Sequence, residues 1–224
     1  MPRTSRAIVA NHCYHVLNRG NNRMTLFHER ADFIAFLWLL AESFDQFDVP
    51  VLAACLMPNH LHLVMQPRRD DDLARWAHWL FTTHARRFHK KYGTTGRVWQ
   101  GRFRASVAQA DRHLLTLLRY VERNALRSNL VAQAQDWEWG SLNWRERGSG
   151  PIRLAPAPTP LPSKWVAYVN EPQTAEEVED IRNAIARQAP FGDQTWRKEK
   201  ASELGLEQTL APRGRPRREI VTSK

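Results

Sequence analysis

The amino-acid sequence predicts an α+β fold, an antiparallel sheet with helices laid on one face. Three observations predict it. Long stretches with apolar residues at helical spacing alternate with short runs rich in β-branched and aromatic residues, in the order β-α-β-β-α-β-α. The second and third strand candidates are separated only by "PN" (58–59), a turn signal that marks a hairpin. At 224 residues the chain suffices for one catalytic-sized domain and an appendage.

Element by element, "HCYHVLNR" (12–19) reads as a strand, broken by "GNN" (20–22). Residues 29–47 carry Phe33, Phe36, Leu37, Leu40 and Phe44 at helical spacing and predict an amphipathic helix. Residues 49–57 and 60–66 form the predicted hairpin. A second long helix spans 71–92, with Asp70–Asp72 suited to its N-terminus and "GTTG" (93–96) ending it. "RFRASVAQA" (102–110) alternates as a strand does. Asp111 then reads as the N-cap of a helix running through "RHLLTLLRYVERNALRS". The first six elements have the ferredoxin-like order, with the seventh added. A principal domain is thus expected over 1–150. "PIRLAPAPTPLP" (151–162) has five prolines in twelve residues, so 151–163 reads as an extended linker. Short helices at 164–169, 175–188 and 194–205 would make a helical extension over 164–210, followed by a basic, flexible tail at 211–224.

Charge narrows the function. Lys+Arg is 33 against Asp+Glu 23, a net charge of +10 and a sequence pI near 10.3. That balance favours a polyanionic partner, nucleic acid before an anionic membrane surface. The longest apolar run, "FIAFLWLLA" (33–41), is too short to span a bilayer. The first residues lack the apolar core of a signal peptide. The two cysteines, Cys13 and Cys55, exclude a disulfide framework and a Cys-based zinc site. The expectation is a cytoplasmic protein.

The candidate chemistry lies in "PNHLHLVMQP" (58–67). Side chains alternate along a strand, so His60 and His62 share a face with Val64 while Leu61, Leu63 and Met65 face the helices. Two imidazoles side by side are within reach of one metal ion. Taken alone, the pair is a weak signal, since a hairpin that simply exposes two histidines accounts for it. On the helix after Asp111, Tyr120 and Asn124 are four apart and share a face. A tyrosine can attack a phosphodiester and become covalently attached to it. A divalent metal can polarise the phosphate.

Several blocks carry a resemblance to a known family. "MPNHLHLV" resembles the HUH motif (His, hydrophobic, His) of single-tyrosine DNA transposases, and "YVERNALRSNLV" resembles their tyrosine helix. "YHVLNRGNNRMTLF" (14–27), "RVWQGRFRAS" (97–106) and "WEWGS" (137–141) are similar to further blocks, in the same order. The end of the chain, with "PFGDQTW", "LGLEQTL" and "APRGRPRR", resembles the REP-associated tyrosine transposases. The resemblance implies that His60 and His62 bind Mg²⁺ or Mn²⁺, that Asn124 is a third metal ligand, and that Tyr120 is the nucleophile. It implies single-stranded or hairpin DNA as substrate, cleaved and rejoined through a 5′-phosphotyrosine intermediate.

Residues 84–104 hold seven Lys or Arg and no acid, with aromatics interleaved. That composition suits a surface that neutralises phosphates and stacks bases. It nominates Arg86, Arg87, Lys90, Lys91, Arg97, Trp99, Arg102 and Arg104 as DNA-binding residues. The tail adds Arg213, Arg215, Arg217 and Arg218 as a basic arm. Two rival readings stand beside the transposase: a non-catalytic DNA-hairpin-binding protein, and a metal-dependent phosphoesterase using water. Action as a monomer or as a homodimer is left open.

Overall fold

The computed structural model describes residues 8–211. Its strands are β1 (Cys13–Arg19), β2 (Val51–Met57), β3 (His60–Met65) and β4 (Arg104–Ala108). They form one sheet in the order β2-β3-β1-β4, with every neighbouring pair antiparallel. β1 and β2 therefore run parallel with β3 inserted between them, as the element order predicts.

Helices α1 (Arg30–Gln46) and α2 (Asp72–Tyr92) cover one face. Leu61, Leu63 and Met65 of β3 are buried there with Phe33, Phe36 and Leu40 of α1 and Leu73, Trp76 and Leu80 of α2. The indole N–H of Trp76 is satisfied inside this layer, donating to Ser43 Oγ at 2.9 Å. A capping box of Glu29 and Asp32 starts α1. Gly93 ends α2 in the left-handed conformation, φ 62°.

The opposite face carries α3 (Arg112–Glu122) and α4 (Asn124–Arg127), joined by α5 (Ser141–Glu146), α6 (Trp165–Asn170) and α7 (Ala175–Arg187); α8 (Gln194–Glu203) follows. Cys13, Cys55 and Val64 point into this second layer and pack with Leu114, Leu117, Leu118 and Val121 of α3. The helices predicted for one face are thus α1 and α2, while the tyrosine helix and the C-terminal helices fill the other. Asp111 caps α3 as predicted, its Oδ1 accepting from the His113 amide at 2.8 Å.

One prediction needs correction. The single helix expected after Asp111 is interrupted at Arg123, where ψ opens to −3°. Arg123 Nη1 donates to the last carbonyls of α6, Val169 at 3.2 Å and Asn170 at 2.6 Å. This tertiary anchor competes with the local helical preference at that position. The proline-rich stretch after α5 meets the start of β2, where the Ala155 amide donates to the Val51 carbonyl at 2.8 Å. Farther along the same strand the Leu56 amide donates to the Trp139 carbonyl at 3.0 Å, so two segments share the cover of this sheet edge. Among the described residues no helix is long and apolar enough to cross a membrane.

Candidate active site

The candidate site stands on the α3 face of the sheet. The β1–β3 register sets Arg19 opposite His60, Leu17 opposite His62 and His15 opposite Val64. Residues paired across an antiparallel ladder share a face, so a row of β1 side chains lies beside the two histidines. The hairpin turn holds the first of them: His60 Nδ1 donates to Asn59 Oδ1 at 2.6 Å. His62 Nδ1 lies 2.8 Å from His15 Nε2. The His60 and His62 ring centroids are 5.0 Å apart.

Tyr120 of α3 comes down on this row. Its ring meets His62 edge-on at 5.8 Å and His15 edge-on at 5.9 Å. The Arg127 guanidinium lies over the tyrosine ring, 4.0 Å from its centroid. Asn124 follows just past the helix break and is buried. The interruption at Arg123 therefore does not separate Asn124 from Tyr120. Both line one cavity of about 540 Å³ with His60 and His62. The same wall carries Arg19, Arg102, Arg104, Arg127 and Arg182, and no Asp or Glu. Such a cavity attracts polyanions.

Burial sets the charge state of the histidines. It pushes His60 down to about 4, helped by the nearby Arg19 and Arg127. It lowers His62 well below the ordinary value, with His15, His60 and the same arginines adding to the effect. His15 falls to about 3, again through burial and then Arg127. At neutral pH these rings are neutral and carry lone pairs.

Among the described residues no three His, Cys, Asp or Glu are placed to hold a metal. The side chains at this cavity that could hold a divalent cation are two imidazoles and an amide, donor types such ions accept. The Nδ1 atom of each imidazole is engaged in a hydrogen bond, which leaves the two Nε2 atoms. Asn124 Nδ2 is buried with no hydrogen-bond partner. Turning that amide end over end replaces the orphaned N–H with a carbonyl oxygen, the atom a cation takes.

Residues 8–124 match the family model described as transposase IS200 like. This chain belongs to the IS200-like transposase family. The matched segment contains His60, His62 and Tyr120 and ends on Asn124. A Haemophilus influenzae protein named for the REP-associated tyrosine transposases is 28% identical over 113 residues. The match takes in 46% of this chain and 64% of that relative, less than two thirds of its length. A solved structure of a REP-associated tyrosine transposase bound to a REP hairpin shares the fold, with TM-score 0.53 and 18% identity. It covers 69% of this chain and 92% of that one.

In this IS200-like chain the nominated DNA-binding residues separate into groups. Arg102 and Arg104 line the cavity. Arg97 is exposed in the segment before β4. Trp99 is corrected: its ring is 6% exposed and packs against Phe81 and His84, so it is a core residue and not a base-stacking platform. Arg86, Arg87, Lys90 and Lys91 are on α2, in the layer opposite the cavity. There Lys91 pairs with Glu29 and Asp32, and Arg87 lies 3.6 Å from Glu42. The charges of Lys91 and Arg87 are thus directed to acids of the α1 region, while Arg86 and Lys90 are exposed on the same helix. Arg213, Arg215, Arg217 and Arg218 lie outside the described residues. The sequence reading missed His15, Arg19, Arg127 and Arg182. Alternation along β1 does group His15 with Arg19, but their place beside His60 and His62 depends on a strand register the sequence does not display.

Proposed function

We propose that this IS200-like transposase cleaves and rejoins single-stranded, hairpin-forming DNA through a 5′-phosphotyrosine bond made by Tyr120. Mg²⁺ or Mn²⁺ is the metal, held by His60, His62 and Asn124. The observation that carries this reading is the meeting of those four side chains, from β3, α3 and α4, in one arginine-walled cavity without carboxylates. The hairpin held by the solved REP-associated transposase supports hairpin DNA as the substrate class.

In cleavage the Tyr120 oxygen attacks the scissile phosphorus. The tyrosyl–phosphate bond forms as the bond from phosphorus to the 3′ oxygen breaks; the phenol loses a proton and the departing oxygen gains one. Rejoining is the reverse, with the 3′-hydroxyl attacking the phosphotyrosine, so no nucleotide cofactor is needed. A bound divalent cation neutralises the phosphate and orients it for in-line displacement. The cavity arginines hold the flanking phosphates, and Arg127 keeps the Tyr120 ring in place.

The test uses the full chain, Mn²⁺ and a hairpin-bearing single strand labelled at its 3′ end, the fragment that the tyrosine would retain. A labelled band of protein size on a denaturing gel is the expected result. Tyr120→Phe should bind the hairpin as before yet form no adduct and release no fragment. Cleavage by the Phe variant near the wild-type rate would overturn the proposal.

A further inference from the structure

We propose that His15 is a positioning residue for His62, accepting its Nδ1–H and so keeping the His62 lone pair on Nε2. The inference rests on the metal reading given above and adds a residue to it.

A single proton between two rings decides which nitrogen of His62 keeps its lone pair. His15 Nε2 and His62 Nδ1 are 2.8 Å apart, in rings whose centroids are 5.0 Å apart and nearly parallel. Both side chains are buried. Two neutral imidazoles at this distance share a single hydrogen, which admits two arrangements. In one, His15 Nε2–H donates to His62 Nδ1; His62 then carries its proton on Nε2 and has no lone pair left for a cation. In the other, His62 Nδ1–H donates to His15 Nε2, and His62 Nε2 is a free donor atom. Only the second is compatible with His62 as a ligand.

The neighbouring histidine shows the same device. His60 Nδ1 donates to Asn59 Oδ1 at 2.6 Å, and an amide oxygen only accepts, so its tautomer leaves Nε2 unprotonated. Each imidazole is thus gripped by Nδ1 from outside the candidate ligand set, one by the hairpin turn and one by β1. Such partners orient a ligating histidine and raise its basicity. The register explains why β1 supplies the second: His15 pairs with Val64, two residues from His62 on the same face. His15 also touches the Tyr120 ring, so it stands beneath both the nucleophile and a ligand.

Two measurements test this. In the metal-free full chain labelled with ¹⁵N-histidine, long-range proton–nitrogen correlations show which nitrogen of His62 bears hydrogen, with assignment from its loss in His62→Gln. Hydrogen on Nδ1 is expected; hydrogen on Nε2 overturns the inference. Mn²⁺ affinity is then read by electron paramagnetic resonance for wild type, His15→Gln and His15→Phe. The glutamine oxygen can accept the Nδ1–H, so His15→Gln should stay near wild type, while His15→Phe should lose roughly 10- to 100-fold. Unchanged affinity in His15→Phe, or equal losses in both variants, also overturns it. If His15→Phe does not fold, the tautomer measured in the wild-type chain decides. A wild-type chain that binds no Mn²⁺ sinks the metal reading itself, and with it the ligand role of His62, whatever the tautomer.

Discussion

Arg127 ties the candidate nucleophile to the charge of its cavity. Its guanidinium carbon is 4.0 Å from the Tyr120 ring centroid and its Nη1 donates to the Tyr120 carbonyl at 3.4 Å. A cation over an aromatic face is attracted to the electron density of the ring. In the proposed reaction that density would rise as the phenol oxygen loses its proton in attack, and again as it departs in rejoining. Arg127→Ala should therefore slow adduct formation by on the order of 10²-fold, the scale of one lost charge-stabilising group. Arg127→Lys should recover only part, because an ammonium lacks the planar stacking surface. Single-turnover quench experiments measure this; equal rates in all three proteins would remove Arg127 from the chemistry. Part of this was legible in the sequence. Positions 120 and 124 follow helical spacing, and 60 and 62 follow strand spacing, so each pair declares its shared face locally. Arg127 was missed, because nothing local distinguishes it from the other arginines of its segment. His15 was not legible, because it acquires its role only when β1 settles beside β3.

At the scale of elements, the tyrosine helix is fixed from behind by Glu122. This carboxylate is fully buried and accepts from Ser141 Oγ at 2.6 Å, Arg145 Nε at 2.9 Å and Trp165 Nε1 at 2.6 Å. It therefore links α3 to both α5 and α6, two residues beyond Tyr120. Glu122→Ala would leave three buried or half-buried donors without an acceptor. The expected cost is about 3–5 kcal/mol, typical of breaking a buried pair by removing one partner. Glu122→Gln keeps one accepting oxygen and should cost less. Urea unfolding with both variants measures it, and a Glu122→Ala loss no larger than an exposed substitution would mean that the network does not brace the helix. The elements themselves were readable, since apolar periodicity located every strand and each long helix to within a few residues. The orientation of the segment before β4 was not. Trp99 sits among arginines in the sequence, yet its bridge to Gly20 turns the indole inward against Phe81. Composition alone does not separate a ring that stacks on a base from one that seals a core.

At the scale of the whole molecule, the basic charge is sorted by the fold. The lysines and arginines between 84 and 104 look continuous in sequence, but the sheet divides them. Those of α2 lie behind it, while Arg102 and Arg104 reach the cavity in front. The segment after the prolines reads as an appendage, yet α7 returns to the α3 face of the sheet and contributes Arg182 to the cavity wall. A composition shift marks where a segment begins, but not where it docks. Arg182 is exposed on α7, so Arg182→Ala should leave stability within about 0.5 kcal/mol of wild type. If the cavity holds the DNA strand, that substitution removes one phosphate contact. The slope of log affinity against log salt should then become shallower by about 0.7, the value per contact on single strands. Arg86→Ala, on the opposite layer, should leave the slope unchanged. Fluorescence anisotropy with a hairpin-bearing single strand across a salt series separates the two. Equal slopes for Arg182→Ala and wild type would detach Arg182 from substrate binding, and a larger change with Arg86→Ala would place the DNA on the α2 face.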